Sequence, residues 1–245
     1  MRYHHPPLLQ VLILSLAICV FGSLRSAHAG AAEAGDPVVV ALHASLAKNV
    51  EHSREWLDAK DFKSVAQSAG GLQTLAGLLK ARSDDSAWQG ATDKVIAVAK
   101  QVQSAAGSGE AAKCGAALDA LEKSLAAAAA LSPSGKPQTP QIAGGIRPVM
   151  LLLDGVYADA KVSLLTGNAA NAKKHAYVLS ELGRVVSNSQ NANAKGREKW
   201  PELSGGFVEA CLAAARSPAE DAATVKQLLR GISQRCEACH ETRSR

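Results

Sequence analysis

Aromatic residues and methionine are scarce in this chain. Its 245 residues include three Trp, three Tyr, three Phe and two Met, whereas alanine is abundant. β-Branched residues seldom cluster outside helical patterns, so few segments favour a β-sheet. A chain of this kind fills its cores with leucine, valine and alanine carried on helices. We therefore predict an all-α protein.

A long apolar run is also missing. Residues 8–21 form a short apolar run that follows Arg2 and precedes Ala27-His28-Ala29, a small-x-small cleavage pattern. This arrangement predicts a cleavable signal peptide over residues 1–29, export to the periplasm and a mature chain without an integral membrane span. An uncleaved anchor and lipid attachment at Cys19 are the alternatives.

Strong charge and catalytic groupings are absent as well. The chain has 27 Lys and Arg against 22 Asp and Glu, a net charge of +5, and removal of residues 1–29 deletes Arg2, Arg25 and no acid, which leaves +3. Such a mild excess predicts no nucleic-acid binding. The sequence shows no nucleophile–base grouping, carboxylate pair or phosphate-binding loop, so we predict a protein that is not an enzyme.

Eight helical segments are predicted from apolar periodicity, with turn and cap residues between them. They cover residues 38–59, 61–82, 86–106, 109–131, 148–165, 168–186, 198–216 and 218–242. Residues 132–145 are rich in proline and glycine, which is typical of an interdomain linker. The pattern predicts one four-helix bundle over residues 36–131 and a second over residues 146–245.

The two sets of helices align with each other. A shift of 112 along the sequence takes Trp88 to Trp200, and a shift of 111 takes Leu118 to Leu229. In the second helix of each set, a shift of 107 matches five apolar positions, namely Val65, Ala69, Leu72, Leu75 and Leu79 with Ala172, Ala176, Leu179, Leu182 and Val186. We predict an internal duplication; a coincidence between amphipathic helices is the alternative.

The most specific motif lies near the end of the chain: Cys236-Glu237-Ala238-Cys239-His240. Cys-x-x-Cys-His is the attachment signature of a c-type haem, in which two thiols bond the vinyl groups and the histidine ligates the iron. On a helix, Cys236, Cys239 and His240 share one face. The motif predicts one covalent haem c with its iron bound by His240. A zinc site, a redox-active Cys pair and a plain disulfide are weaker alternatives, because no second Cys/His pair or βαβ pattern accompanies the motif.

The first set of helices lacks this motif. The shift of 111 places Leu125, Ala128 and Ala129 where the second set has Cys236, Cys239 and His240. We therefore predict a haem-less first bundle and a haem-binding second bundle.

A four-helix bundle with Cys-x-x-Cys-His near its C-terminus resembles the cytochrome c′ family, the class II c-type cytochromes. The resemblance covers about residues 146–245 and, more weakly, the first half. It implies two tandem up-down bundles of cytochrome c′ type. In the second bundle, the last helix holds the haem and the first helix covers the distal face of the haem.

The resemblance also implies distal residues. Met150 falls at the family's distal position and is the only methionine of the mature chain, so it is a candidate second iron ligand; a core-filling role is the alternative. Arg147 is a candidate partner for a haem propionate, and a solvated charge is the alternative. The family usually has a basic residue four positions after the histidine, where this chain has Ser244, so the haem-edge contacts of the tail differ.

Ligation by Met150 decides between two functions. Two axial ligands favour one-electron transfer, which implies a periplasmic electron carrier with redox partner proteins. A distal residue that only caps the iron implies a five-coordinate protein that binds nitric oxide or carbon monoxide. A third hypothesis makes the haem-less half an interaction module. The resemblance further implies a homodimer through the first helices, a surface that a tandem arrangement would instead use internally.

Three other residues carry weaker expectations. Cys114 and Cys211 lie in different halves, so they predict either a disulfide between the halves or two buried thiols. His43 aligns with Met150 at the shift of 107, and we interpret it as a polar or packing histidine.

Overall fold

The structure, a computed structural model, describes residues 35–140, 146–188 and 197–244. Eight α-helices and one short 3₁₀-helix occur in these residues, with no β-strand, which confirms the all-α prediction. The α-helices are α1 Pro37–Asp58, α2 Phe62–Lys80, α3 Ser86–Ser108, α4 Ala111–Ala129, α5 Ile146–Leu165, α6 Ala169–Asn188, α7 Trp200–Arg216 and α8 Ala222–Ser244. The predicted signal peptide lies outside the described residues. None of the described helices is both long and apolar enough to cross a lipid bilayer.

Acidic side chains fix where the helices begin. The Asp61 carboxylate accepts a hydrogen bond from the Ser64 backbone N–H (3.1 Å), and Asp85 accepts one from the Trp88 N–H (3.0 Å). Each bond satisfies an N–H that the first turn of a helix leaves without a partner. Helix α3 ends at Gly109, whose φ of 70° lies in the left-handed region that glycine tolerates. These breaks agree with the predicted ones.

The start of the last helix differs from the prediction. We predicted a start at Pro218, but α8 begins at Ala222. Asp221, the residue before it, accepts a hydrogen bond from the Thr224 N–H (2.7 Å). The Lys173 ammonium donates to the carbonyls of Ser217 (2.7 Å) and Ala219 (3.1 Å). The two carbonyls point towards Lys173 of α6 and not along a helix axis. These bonds therefore hold the segment before α8 as a loop.

The helices pack in the same order in each half. In the first half (α1–α4), each helix packs on the next and α1 also packs on α4; the second half (α5–α8) repeats this order. The halves meet where α1 packs on α6 and α2 packs on α5. If the two halves are exchanged, the contact of α1 with α6 becomes the contact of α5 with α2, as at a two-fold interface. An ion pair of 2.7 Å between Lys48 and Asp159 adds a link from α1 to α5.

Matched tryptophans occupy matched environments in the two halves. The Trp88 indole N–H donates to the Leu79 carbonyl (2.9 Å), and the Trp200 N–H donates to the Val186 carbonyl (3.1 Å). Leu79 and Val186 are related by the shift of 107 that aligns the second helices. The same hydrogen bond therefore recurs at the positions that the sequence alignment pairs.

A second hydrogen bond follows the same rule. The Thr92 hydroxyl donates to the Trp88 carbonyl (2.8 Å), and the Ser204 hydroxyl donates to the Trp200 carbonyl (2.6 Å). Thr92 and Ser204 are related by the shift of 112 that aligns the third helices. The same bond from a hydroxyl to the carbonyl four residues back also occurs at Ser53, Thr74 and Ser124. The tryptophan hydrogen bond is therefore the more specific of the two matches between the halves.

The described part of the predicted linker is attached to the first half. The N–H of Gly135 donates to the Ser83 hydroxyl (2.8 Å) and the N–H of Lys136 donates to the Asp84 carboxylate (2.8 Å). A Cβ at position 135 would collide with Asp84 Oδ1, so this close approach requires glycine. Residues 135–136 are thus held against the turn after α2.

Candidate functional site

The site is carried by α8, whose buried stripe leads to the signature. Val225, Leu229 and Ile232 are buried at helical spacing, and Cys236 continues the stripe, half-buried and packed against the core. Cys239 is also half-buried, whereas His240 is exposed at the edge of the same face. At about 100° per residue, Cys236, Cys239 and His240 fall within an arc of roughly 100°. The helix therefore presents both thiols and the imidazole to one side.

The surroundings of Cys236 disfavour a thiolate. Burial, together with the negative charges of Asp154, Cys239 and Glu237, raises the pKa of the Cys236 thiol to about 11. Redox-active and metal-binding cysteines need the opposite, a positive neighbour or helix N-terminus that lowers the pKa. An uncharged sulfur suits this environment, and a thioether is uncharged.

Helix α5 lies beside this face in the opposite direction. The Tyr157 hydroxyl donates to the Leu229 carbonyl (3.1 Å), and Asp154, earlier on α5, acts on Cys236, later on α8. Both helices rise about 1.5 Å per residue, so seven residues back from Tyr157 corresponds to seven residues beyond Leu229. Met150 therefore lies level with Cys236. Its side chain is half-buried against the core.

Arg147 lies one turn further, at the start of α5. Its side chain is exposed and, within the described residues, its guanidinium makes no ion pair. By the same register it lies level with Cys239. Arg147 and Met150 therefore lie at the end of α5 that is level with the signature, and no contact joins either side chain to His240 among the described residues.

Helix α7 contributes a neighbour that the sequence did not single out. The Arg235 guanidinium packs against α7 at Gly206, where an added Cβ would lie 3.6 Å from Nη1. A positive charge thus borders the signature on the side of α7, while Asp154 borders it on the side of α5. The adjacent glycines Gly205 and Gly206 were the available sequence signal, because paired glycines inside a helix often mark a close approach.

The equivalent end of the first half is closed. Leu125 and Ala128, which align with Cys236 and Cys239, are 8% and 0% exposed. Both cysteines keep more exposed surface than these counterparts. The first half therefore fills its core at the point where the second half presents reactive side chains.

The two remaining cysteines are buried thiols in the structure. Cys114 and Cys211 are both free and buried, which is the second of the two expected states. Burial raises the pKa of Cys114, and burial together with the charge of Cys236 raises the pKa of Cys211. His43 is half-buried, its ring meets Trp88 edge-on at 6.3 Å, and its Nε2 accepts or donates no hydrogen bond among the described residues.

A cavity lies apart from the signature. Its volume is about 340 Å³, and it is lined by the end of α2, residues 137–140 and α6, with Arg82, Glu181 and Arg184 among its side chains. Among the described residues, no group of three or more His, Cys, Asp or Glu side chains is placed to hold a metal ion. A haem site does not need such a group, because the porphyrin supplies four ligands and the protein one or two.

No protein-family model, curated protein or solved structure matches the chain.

Proposed function

We propose that the protein is a periplasmic c-type cytochrome that carries one covalent haem and transfers single electrons. The observation that supports this most directly is the face of α8, where two half-buried thiols and an adjacent imidazole lie on one side at the end of an apolar stripe. Two thiols and one imidazole are the groups that a c-type haem requires. The residues present fit the cofactor.

Each residue has a distinct role in this proposal. Cys236 and Cys239 would hold the haem through thioether bonds, and His240 would bind its iron. Met150, level with Cys236 on α5, is the candidate for the opposite side. When bound, the haem supplies a redox centre that exchanges one electron. A thioether ligand from Met150 would favour the reduced state, and two protein ligands would limit the rearrangement that accompanies electron transfer.

The fold supports the same proposal at a coarser level. We propose that the halves are two tandem four-helix bundles of cytochrome c′ type, of which only the second binds haem. Matched tryptophan and hydroxyl hydrogen bonds in the two halves support the duplication. Redox partner proteins would approach the end of the second half where the signature is exposed.

An absorption spectrum of the mature protein, secreted to the periplasm of a host that attaches c-type haem, tests the proposal. We expect an intense Soret band that survives acidic acetone extraction, which removes haem that is not covalently bound. Sharp α and β bands should appear on reduction. A protein without a Soret band would overturn the haem assignment.

The variant Met150→Ala tests the axial ligand. If Met150 binds iron, the ferric protein has a weak red band from sulfur-to-iron charge transfer, and the variant loses it. A wild-type protein that is high-spin and binds carbon monoxide would instead favour the gas-binding function. Val149→Ala is the matched control, because Val149 is buried in the core one residue away.

A further inference from the structure

The cavity beside the end of α2 contains two arginines and a buried carboxylate. Its volume of about 340 Å³ is at the lower end of the range for small-molecule sites. Arg82 follows α2, whereas Glu181 and Arg184 lie on α6, so both halves of the chain contribute charged groups to it. The signature lies on α8, which does not line the cavity. The cavity is therefore separate from the candidate haem site.

Glu181 places a buried negative charge between the two arginines. The residue is 3% exposed. One of its carboxylate oxygens lies 3.7 Å from Nη1 of Arg82, and the other lies 3.4 Å from Nη1 of Arg184. A buried carboxylate requires cationic partners, and here it has two. Two guanidinium groups and one carboxylate leave an excess of one positive charge at the cavity.

The first half shows that this charged group is not required by the helical arrangement. The shift of 107 places Thr74 and Gly77 where α6 has Glu181 and Arg184. Thr74 is also buried, but its hydroxyl donates to the Gly70 carbonyl of its own helix (3.1 Å). A neutral polar group therefore suffices at this position in α2, whereas α6 carries charges that need partners from outside the helix.

The Arg184 guanidinium keeps donors for a further partner. Its side chain is 46% exposed and meets Glu181 through one pair of atoms at 3.4 Å. Among the described residues it makes no other polar contact. A guanidinium has five N–H groups in a planar fork, which matches the two oxygens of a carboxylate. One long contact leaves most of this fork available to a ligand.

The carbonyl groups at the end of α2 already have donors. A helix C-terminus carries partial negative charge on its last carbonyls, which would oppose an anion. The Ala81 carbonyl accepts from the Gln138 N–H (2.7 Å), and the Lys80 carbonyl accepts from Nε2 of Gln89 (3.0 Å). These bonds offset part of the negative charge, so the two arginines dominate the electrostatics of the cavity.

The linker gives the cavity an apolar side. Pro137 and Pro140 line it, and the backbone bonds of Gly135, Lys136 and Gln138 hold this segment against the first half. A proline ring fixes its backbone angle and presents a rigid apolar surface. The cavity thus combines a cationic side with an apolar side, which is the usual composition of a small-molecule site.

We propose that this cavity binds a small organic monocarboxylate. The ligand carboxylate would pair with the fork of Arg184, beside the charge of Arg82, and the hydrocarbon part would lie against Pro137 and Pro140. A monoanion balances the excess of one positive charge, whereas a phosphate monoester, with a charge of about −1.5 to −2, exceeds it. A water molecule occupies about 30 Å³, so the volume admits roughly ten non-hydrogen atoms. The proposal does not depend on haem.

Isothermal titration calorimetry of the mature protein with sodium benzoate tests the site, with sodium chloride at equal ionic strength as the blank. We expect saturable binding at one site per chain, and weaker binding of acetate, which lacks the ring that contacts the prolines. Benzamide, which has the size of benzoate without its charge, should not bind. Arg184→Gln should weaken benzoate binding by roughly tenfold or more.

The matched control is Arg54→Gln. Arg54 is also an arginine paired with carboxylates at a helix surface, but it lies outside the cavity, so its replacement should leave the affinity for benzoate unchanged. Helix content by circular dichroism should be the same in both variants. The ratio of Soret to protein absorbance, measured on Arg184→Gln, should equal that of the wild type, which separates this test from the haem proposal.

Glu181→Gln distinguishes a binding site from a contact that only joins the halves. The variant removes the internal competitor for the arginines, so benzoate should bind several-fold more tightly. A contact that only joins the halves predicts lower stability without any gain in affinity. A wild type that binds neither benzoate nor acetate, an affinity that Arg184→Gln leaves unchanged, or inorganic phosphate that binds more tightly than benzoate would each overturn the proposal.

Discussion

The two halves of the chain use their last helices differently. Near its end, helix α4 carries Leu125 and Ala128, which are buried and complete a core. The last turns of α8 carry Cys236, Cys239 and His240, which retain accessible surface. The buried stripes before them are alike: Leu118 and Leu121 in α4 correspond to Leu229 and Ile232 in α8. The difference shows that three substitutions at one end of a common arrangement separate a closed core from a candidate cofactor site.

The pairing of the first and last helices also differs. In the first half, Arg54 of α1 binds Asp119 (2.7 Å) and Glu122 (2.8 Å) of α4. The corresponding residues in the second half are Lys161, Arg230 and Ser233, which offer no opposite charge. Helices α1 and α4 are thus joined by ion pairs, while α5 and α8 are joined by the Tyr157 hydrogen bond. The Lys161 ammonium lies over the Tyr157 ring of the same helix, 5.3 Å from its centroid.

A matched size change occurs inside the halves. Ala76 and Val95 pack in the first half where Gly183 and Phe207 pack in the second. A Cβ at position 183 would lie 2.7 Å from the Phe207 ring, so the larger aromatic residue fits only because the opposing residue is glycine. The two cores therefore reach close packing with different pairs of residues.

The largest effect should come from removing the signature. The double variant Cys236→Ala with Cys239→Ala should lose covalent haem absorbance completely, because no thiol of the signature remains. Amide hydrogen exchange should become faster in α5–α8 and stay unchanged in α1–α4, since a bound group stabilises only the half that holds it. Cys114→Ala is the control and should keep the absorbance. Faster exchange throughout both halves would show that the halves do not differ in this way.

The packed pair should give the next largest effect. Gly183→Ala should reduce the free energy of unfolding by about 1–3 kcal/mol, because its methyl group overpacks the Phe207 site. Adding Phe207→Val rebuilds the Ala–Val pair of the first half and should recover most of the loss. Urea denaturation measures both. Gly90→Ala, at an exposed helical site with nothing within 4 Å of the added carbon, is the control and should not destabilise. A double variant that is less stable than Gly183→Ala would contradict the equivalence of the two sites.

Acid should affect the first half through His43. Burial lowers the pKa of His43 from 6.5 to about 4, so as the pH falls the unfolded chain binds a proton before the folded one does. Stability present above pH 6.5 should decrease by about 3 kcal/mol as the pH falls from 6.5 to about 4. His43→Met introduces the residue of the second half, and the stability difference between wild type and variant isolates this contribution.

Other groups titrate in the same range and define the control. Burial also lowers the pKa of His175, although the charge of Asp159 opposes this, and both remain in the variant. A stability difference between wild type and His43→Met that does not change with pH, measured by urea denaturation at several pH values, would show that His43 is not the acid-sensitive group.

The smallest effect should come from the surface ion pairs. Arg54→Ala should lower the free energy of unfolding by about 0.2–1 kcal/mol, because its partners are more than half exposed to solvent. High salt should reduce the difference. Lys161→Ala, at the corresponding position of α5, should have a smaller effect, because Lys161 makes no ion pair among the described residues. Equal losses for the two variants would mean that α5 and α8 are joined as α1 and α4 are.

Much of the fold was accessible from local sequence patterns. The apolar periodicity located all eight helices, and cap residues such as Asp61 and Asp85 marked their starts, because capping depends on residues three positions apart. The start of α8 was missed by about one turn. The bonds from Lys173 that hold the preceding loop connect residues more than forty positions apart, so no local pattern reveals them.

The candidate site was only partly accessible. Cys236, Cys239 and His240 form a contiguous motif, and helical geometry alone places them on one face. Asp154 and Arg235 were not identified as neighbours of this motif, because charged residues at a helix surface are common and only packing decides which of them meet. The exposure of Leu151 and Val162 was likewise not predicted, since both look like core residues until the core is known.

By itself, the sequence determined the helical class, the positions of the helices and the chemical groups of the signature. These depend on residue type and on spacings of one or two helical turns. The tertiary structure alone decided which face of each helix is covered, how α1 and α2 meet α5 and α6, and which charges border Cys236. Those features depend on contacts between residues distant along the chain, whose free energies exist only once the helices have packed.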